Sequence, residues 1–180
     1  MACGTRLASP PRGIRQASRV VLILTWLLAL PAALAWTEAP AAASVAAVQE
    51  AVDLAADADI LRQRRIPLLL VFTRDDCVWC DRLRREFLGP LQDDPAAPVL
   101  IRQVAIDRDT PLTDWDGRPT THRELARARG MRLAPTVAFL GPRGETLAEP
   151  IVGYPSADLY GGLLERGIET ATASLHAAPR

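Results

Sequence analysis

Long apolar runs and amphipathic stretches divide this chain of 180 residues into predicted strands and helices. The apolar run 66–72 is the strongest strand signal in the chain. A second strand is predicted at 99–106. Two more, at 136–140 and 146–152, are joined by a Gly- and Pro-containing turn, as in an antiparallel hairpin. Because proline cannot donate to a strand ladder, Pro150 places the last strand at a sheet edge.

Helical spacing of apolar residues predicts helices around these strands. The first helix is expected over 44–64, where a serine can cap its start. The apolar face of this segment consists of Val45, Val48, Val52 and Ala55. A short helix over 121–129 begins at the capping-box pattern Thr121-x-x-Glu124, in which side chains satisfy the free N–H groups of the first turn. A final helix is predicted over 157–176.

Another helix, over 78–88, is predicted directly after the first strand. Trp79, Leu83 and Phe87 repeat every four residues in it, a spacing that predicts core positions. For Trp79 an alternative stays open, since a residue inside the CxxC can also be half exposed and form part of an apolar docking surface. Gly89-Pro90 should end or kink this helix, because proline lacks the N–H that a helix interior requires. The order of elements is helix, strand, helix, strand, helix, strand, strand, helix. This order predicts an α/β fold, with a sheet flanked by helices on both faces.

The first 35 residues predict a signal peptide. They carry four arginines and no acidic residue, and the apolar run 20–35 follows. A run of this length is short for a membrane span, which needs about 20 residues. Ala33-Leu34-Ala35 matches the small-x-small cleavage pattern, so cleavage is expected after Ala35 and the mature protein is expected in the periplasm. The alternative is an uncleaved anchor in the inner membrane, with the rest of the chain facing the periplasm.

The remaining chain is predicted to form a single folded domain. Residues 36–65 would be a lead-in and N-terminal helix, and residues 66–180 the α/β domain itself. The chain has 21 basic residues, all arginine, and 21 acidic residues. A net charge of zero leaves no basic surface of the kind that nucleic acids require, so no nucleic-acid partner is expected.

Two cysteines carry the candidate chemistry. Removal of the signal peptide would take Cys3 and leave only Cys77 and Cys80, in the pattern Cys77-Val78-Trp79-Cys80 between a predicted strand and a predicted helix. A thiol at a helix start lies over unpaired N–H groups, which favours its thiolate form. A CxxC pair in this context predicts thiol–disulfide redox chemistry.

Two other interpretations of the CxxC pair remain open. A zinc site would need three or four strong ligands, and the histidines, His122 and His176, show no ligand spacing. A purely structural disulfide is the second alternative. It would close a loop of only two intervening residues and would remove little entropy from the unfolded chain. No metal and no cofactor are therefore expected.

The other polar and aromatic candidates are expected to be structural. The loop 107–120 is acidic but lacks the ligand register of a calcium-binding loop, so it is predicted to be solvated. Trp115 within it is expected to pack the loop onto the domain. His122 is predicted to lie on the surface in a first helical turn, and His176 to be solvated near the C-terminus.

Two motifs together resemble the thioredoxin superfamily, over a region from about Pro67 to the C-terminal helix. One is the CxxC at a strand–helix junction, and the other is Ala134-Pro135-Thr136 entering a strand. The resemblance implies a thioredoxin-like fold, with a central mixed β-sheet of about four strands flanked by helices. It also implies a cis bond before Pro135, which would pack beside the CxxC, and a role for the backbone of Ala134 in binding a polypeptide. Trp79, Ala134 and Pro135 are thus the expected substrate-binding residues.

Finer details are similar to exported thioredoxins of the SoxW type and to the catalytic domains of periplasmic disulfide isomerases. They are Trp79 before the second cysteine, the run 81–88, the insert 114–117, Gly144, and the segment 153–155. Val71 departs from the pattern, because cytosolic-type thioredoxins carry a buried aspartate there, six residues before the first cysteine. The proton of Cys80 must therefore pass to water or to another group.

These observations predict a periplasmic thiol–disulfide oxidoreductase that reduces or exchanges protein disulfides. Cys77 would attack as a thiolate, and Cys80 would resolve the mixed disulfide. The expected partners are protein disulfides and a membrane thiol-redox protein that donates or accepts electrons, and the protein is expected to be a monomer. The alternative is a non-catalytic chaperone or adaptor that uses the same fold to bind exported polypeptides. Charges near Cys77 are balanced, so the sequence does not set the direction of electron flow.

Overall fold

A computed structural model describes residues 47–177 of the chain. The predicted signal peptide, Ser44 and Val45 lie outside the described residues. The helices are α1 (Leu54–Arg64), α2 (Val78–Leu83), α3 (Gly89–Asp93), α4 (His122–Ala128) and α5 (Ala157–Ala177), with a π-helical turn (Arg84–Leu88) between α2 and α3. The strands are β1 (Leu68–Thr73), β2 (Leu100–Ala105), β3 (Pro111–Thr113), β4 (Pro119–Thr121), β5 (Thr136–Leu140) and β6 (Thr146–Val152).

The central sheet has four strands in the order β2-β1-β5-β6. β1 pairs with β2 in parallel and with β5 in antiparallel orientation, and β5 and β6 form an antiparallel pair. The predicted thioredoxin-like fold with a mixed sheet is therefore confirmed. β6 lies at an edge, as Pro150 predicted.

The sheet separates two apolar clusters, and alternate residues of β1 point into each. Leu69 and Val71 belong to the cluster that includes Leu83 of α2 and Tyr160 of α5. The opposite residues of β1 belong to the cluster on the other face. That cluster contains Leu68, Leu70 and Phe72 with Leu54 and Leu61 of α1 and Leu125 of α4. All six residues of β1 are buried, because helices cover both faces of the strand.

The first helix begins at Leu54, so the prediction that it starts at Ser44 is wrong. The segment 47–53 pairs with β2 around Glu50, where the N–H of Ala51 donates to the carbonyl of Gln103 at 2.9 Å, and Asp53 forms a bridge with Thr113 of β3. Asp53 then caps α1 by accepting from the N–H of Ala56 at 2.9 Å. The free edge of β2 offers this segment hydrogen bonds, and the aspartate cap fixes where the helix can start.

The helix after β1 was predicted to end or kink at Gly89-Pro90, and it does not end there but continues through a π-helical turn into α3. The π-helical turn precedes Pro90, which occupies the first turn of α3. π turns re-register the hydrogen-bond ladder, so the proline that lacks an N–H is accommodated rather than ending the helix. Leu83 faces the core as predicted, but Trp79 is 51% exposed and does not.

The loop between β2 and α4 contains a small hairpin, β3–β4, that the sequence did not predict. The predicted cap of α4 is confirmed, since the hydroxyl of Thr121 accepts from the N–H of Glu124 at 3.2 Å. Trp115 packs against the core beneath the guanidinium of Arg129, 4.2 Å from the ring centre. The hairpin is thereby fixed to α4.

His122 is fully buried, so the prediction that it lies on the surface is wrong. Its Nδ1 accepts from the N–H of Ala105 at 3.1 Å, and its Nε2 lies 2.8 Å from the carbonyl of Ala51, to which it donates. The ring thus joins β2 to the extended segment 47–53 at a position where both backbone groups would otherwise be unpaired. His176 is exposed, as expected. No helix within residues 47–177 is long and apolar enough to cross a membrane.

Candidate functional site

The two cysteines lie at the junction between β1 and α2. Cys77 is the N-cap residue of α2, and its sulfur accepts from the N–H of Cys80 at 3.2 Å. The two residues are joined by a disulfide, and their Cα atoms are 5.2 Å apart. Cys77 is partly exposed, whereas Cys80 is completely buried. A molecule that approaches from solvent therefore meets Cys77.

The loop before Cys77 is held by ionic contacts to the residues that follow β2. Arg108 forms an ion pair with Asp75, and its Nε lies 3.1 Å from that carboxylate. This hydrogen bond holds the pKa of Asp75 below its usual value. The N–H of Asp75 also donates to the carboxylate of Asp107 at 3.0 Å. The loop is consequently fixed at both its backbone and its side chains.

The second predicted motif lies at the same end of the sheet. The Ala134–Pro135 peptide bond is cis, as the resemblance implied. Thr136 pairs with Phe72 near the end of β1, so Pro135 lies at the end from which the CxxC loop departs. The carbonyl of Pro135 accepts from the N–H of Gly153 at 2.8 Å, which joins the entry of β5 to the end of β6.

Three aromatic rings, which we call the aromatic stack, run from the core to the surface beside the cysteines. Tyr160 is fully buried, and Tyr154 stacks on it with ring centres 5.0 Å apart and planes 15° apart. Trp79 stacks on the outer face of Tyr154 at 5.5 Å and 19°. Tyr154 was not among the predicted site residues. The sequence indicated Tyr154 only through the segment 153–155, which is similar to that of exported thioredoxins.

Polar contacts fix Tyr154 to the helix that carries the cysteines. Its hydroxyl donates to the carboxylate of Glu86, and Arg82 pairs with the same carboxylate at 2.7 Å. The guanidinium of Arg82 also lies over the Tyr154 ring, 5.5 Å from its centre. The hydrogen bond from Tyr154 and the contact with Arg82 both hold the pKa of Glu86 below its usual value. Burial, followed by the contact with Glu86, raises the pKa of Tyr154.

A polar cavity of about 430 Å³ opens on the other side of Cys77. It lies toward β2, because Gln103 and Ala105 of that strand line it, whereas Tyr154 follows β6 at the opposite edge of the sheet. Its lining also includes Glu50, Arg74, Asp76, Cys77, Asp81 and Arg84. Arg84 pairs with Asp81 and donates to the side chain of Gln103 at 3.0 Å.

Val71 occupies the position where cytosolic-type thioredoxins carry an aspartate, so this position is apolar. Val71 is fully buried, and it pairs with Gln103 on β2 and with Val137 on β5. No carboxylate on β1 can therefore take the proton of Cys80. Across residues 47–177, no group of three or more His, Cys, Asp or Glu side chains is placed to hold a metal ion.

Comparison with protein families matches a thioredoxin-like domain over residues 54–168. No curated protein matches the sequence. Similar solved structures include an oxidoreductase named DsbH, with 17% identity, a TM-score of 0.49, and coverage of 69% of this chain and 88% of that one. A thioredoxin-fold protein from Helicobacter pylori has 21% identity, a TM-score of 0.47, and coverage of 62% and 81%. Oxidized mitochondrial thioredoxin 3 from Saccharomyces cerevisiae has 18% identity, a TM-score of 0.46, and coverage of 68% and 93%.

The family match extends from the start of α1 into α5 and takes in both cysteines and the cis proline. This chain therefore belongs to the thioredoxin-like domain family.

Proposed function

We propose that the protein is a periplasmic thiol–disulfide oxidoreductase that reduces or exchanges the disulfides of exported proteins through Cys77 and Cys80. The observation that carries the proposal is the Cys77–Cys80 disulfide, in which one cysteine is partly exposed and the other is buried. On this fold, such a pair supports thiol–disulfide redox chemistry in general. The compartment and the protein substrates follow from the predicted signal peptide and from the apolar surface near the pair.

The exposed cysteine begins the reaction. The thiolate of Cys77 attacks one sulfur of the substrate disulfide, the S–S bond breaks, and the departing sulfur leaves as a thiolate that takes up a proton. In the disulfide form the N–H of Cys80 points at the Cys77 sulfur at 3.2 Å, and a thiolate at that sulfur would accept the same hydrogen bond. Burial of Cys80 keeps it from reacting with the substrate directly.

The buried cysteine completes the reaction. Cys80 loses its proton and attacks the sulfur of Cys77, which frees the second substrate thiol and forms the Cys77–Cys80 disulfide. Two electrons thus pass from the protein to the substrate. Because Val71 offers no carboxylate, the proton of Cys80 passes to solvent or to a group outside β1. In the oxidising direction, the same steps run in reverse.

An apolar surface at the same end of the domain supports binding of a polypeptide. Trp79 is 51% exposed, and Leu133, next to Ala134, is 63% exposed. Large exposed apolar side chains that cluster beside a nucleophile are typical of a protein-binding surface. Ala134 precedes β5 and lies outside its strand ladders, so its backbone is placed to pair with an extended substrate.

Reduction of insulin by a thiol reductant tests the proposal. The wild-type protein should accelerate the reaction, Cys77→Ser should not, and Cys80→Ser should accumulate a covalent complex with a substrate protein, because the mixed disulfide cannot be resolved. A wild-type rate equal to that of Cys77→Ser would sink the proposal. Sequencing the N-terminus of the protein recovered from a periplasmic fraction tests the predicted cleavage after Ala35.

The exposed ring of Trp79 favours a second candidate, a non-catalytic chaperone or adaptor. In that case an unfolded exported protein should bind Cys77→Ser as tightly as the wild type, with no turnover of its disulfides by either. Loss of binding in Trp79→Ala would be shared by both candidates, so turnover is the measurement that separates them.

The direction of electron flow and its partner complete the proposal. We expect a membrane thiol-redox protein to exchange electrons with the Cys77–Cys80 pair, and the reduction potential of the pair sets the direction. A potential near about −270 mV would identify a reductant, and one near about −120 mV an oxidant. Equilibration of the protein with glutathione buffers measures this value.

A further inference from the structure

The polar cavity offers a second approach to Cys77, separate from the aromatic stack. Its volume of about 430 Å³ lies at the lower end of the range of small-molecule sites, which runs from about 300 to about 1,000 Å³. The cavity lies toward β2 and is lined by charged side chains, whereas the aromatic stack lies toward β6. It therefore suits a small polar molecule rather than an apolar segment of polypeptide.

Two of the charged side chains that line the cavity, one positive and one negative, are available to a ligand. Its lining contains the guanidinium groups of Arg74, Arg84 and Arg108 and the carboxylates of Glu50, Asp75, Asp76 and Asp81. Arg84 pairs with Asp81, and Arg108 pairs with Asp75 and, at 3.8 Å, with Glu50. Among residues 47–177, neither Arg74 nor Asp76 has an ion pair or a side-chain hydrogen bond, and both lie within three residues of Cys77.

We propose that this cavity binds small zwitterionic disulfides of amino-acid type and presents their S–S bond to Cys77. Arg74 would receive the carboxylate of the ligand and Asp76 its ammonium group, and the lining of three cations and four anions disfavours a purely anionic ligand. This inference rests on the proposed redox function and names a second substrate class for the same sulfur.

The chemistry balances with the groups of the protein alone. The thiolate of Cys77 attacks one sulfur of the small disulfide, and the other half leaves as a thiolate and takes up a proton. Cys80 then attacks the sulfur of Cys77 and releases the second half as a thiol. Two electrons from the protein dithiol thus convert one small disulfide into two thiols in a single turnover.

A comparison of four disulfides tests this inference. The pre-reduced protein is mixed with L-cystine (zwitterionic), dithiodipropionate (anionic), cystamine (cationic) or hydroxyethyl disulfide (neutral), and protein thiol loss is followed by acid quench and alkylation. Each rate is divided by the rate of the same disulfide with free dithiothreitol, which removes intrinsic reactivity. L-cystine should have the largest normalised rate. Four equal normalised rates would overturn the inference.

Two variants test the residues, and a third is the matched control. Arg74→Gln and Asp76→Asn should each lower the preference for L-cystine about threefold to fivefold, the loss expected for one exposed ionic contact. Asparagine tolerates the positive φ of 53° at position 76. Arg85→Gln, an exposed change in the π-helical turn after α2 and outside the cavity, should leave the preference unchanged.

Insulin reduction by the same variants separates this inference from the proposed function. Unchanged insulin rates with a lost L-cystine preference would support the cavity as a separate site. Equal losses on both substrates would mean a general effect on Cys77 and would overturn the inference. A full preference for L-cystine in both variants would also overturn it, while the proposed function would stand as long as Cys77→Ser fails to reduce insulin.

Discussion

The two surfaces that meet at Cys77 have opposite chemistry. Toward β6, Trp79 rests on Tyr154, and Tyr154 rests on a tyrosine of the core, so the surface is apolar and anchored from below. Toward β2, charged side chains surround a cavity and are mostly paired with one another. An apolar surface binds a partner mainly through the area that is buried, without demanding a particular geometry. Charged side chains instead select a partner by the sign and position of its charges. Under the two proposals above, one exposed sulfur serves two kinds of disulfide.

Removal of the Cys77 thiol, which both surfaces share, should have the largest effect. It should lower the reduction of polypeptide disulfides and of small disulfides alike. We expect Cys77→Ser to lower the reduction of both insulin and small disulfides by at least about 100-fold, because neither surface holds another exposed thiol. Stopped-flow rates with pre-reduced protein measure both losses. If small disulfides still reacted at the wild-type rate, the cavity would not act through Cys77.

Loss of the buried histidine should disturb the cavity side while leaving the aromatic stack in place. His122→Ala leaves the N–H of Ala105 and the carbonyl of Ala51 without their partner. We expect a loss of about 2 to 4 kcal/mol in the free energy of unfolding, measured by urea denaturation. Hydrogen exchange should accelerate in the segment 47–53, which contains the cavity residue Glu50.

The second histidine provides the control for that experiment. His176 is exposed, and its Nε2 lies 3.1 Å from the carbonyl of Arg65. His176→Ala should change the free energy of unfolding by less than about 0.5 kcal/mol. Equal losses in the two variants would contradict the bridging role of His122.

Removal of the outer ring should affect only the apolar surface. Trp79→Ala should raise the KM for an unfolded disulfide-containing polypeptide about tenfold, the usual cost of truncating a large aromatic contact. The rate with hydroxyethyl disulfide should change by less than about twofold. Val52→Ala, which removes an apolar side chain that is even more exposed than Trp79, serves as the control and should alter neither value. A KM that did not change in Trp79→Ala would show that polypeptides bind elsewhere.

Acid should weaken the polar support of the aromatic stack, and this is the smallest expected effect. The pKa of Glu86 is held below its usual value by Tyr154 and Arg82, so the stability it contributes is present above the usual glutamate pKa and is lost as pH falls through the lowered value. The difference in stability between wild type and Glu86→Gln should therefore shrink between about pH 7 and about pH 3. Thermal unfolding across this range measures it, and a constant difference would count against the contact.

Long, regular patterns in the sequence predicted much of the fold. The apolar run that became β1, the β5–β6 pair and the cap of α4 all depend on neighbouring residues, and they were found correctly. The start of α1 was missed because valines at helical spacing also suit an extended segment. The free edge of β2, which decides between the two, is supplied by distant residues, since Glu50 pairs with Gln103.

The parts of the site that the sequence missed depend on distant contacts. Tyr154 and Glu86 are 68 residues apart, and nothing near either residue indicates that they meet. His122 is a polar residue at a helix start, which usually means exposure. It is buried because two distant backbone groups need its ring nitrogens. The place of the cysteines could be predicted because their motif is local, whereas the cis bond before Pro135 was implied by the resemblance to the thioredoxin superfamily.

The extended segment 47–53 has a consequence for self-association. It lies along β2 and occupies hydrogen-bonding groups that an open sheet edge would offer to another chain. At the opposite edge, Pro150 deprives β6 of one donor, and the exposed Glu149 adds a charge. Both borders of the sheet are thus poor templates for strand addition. A redox carrier that must leave one partner in order to reach the next would benefit from such borders, because copies of it would not join edge to edge.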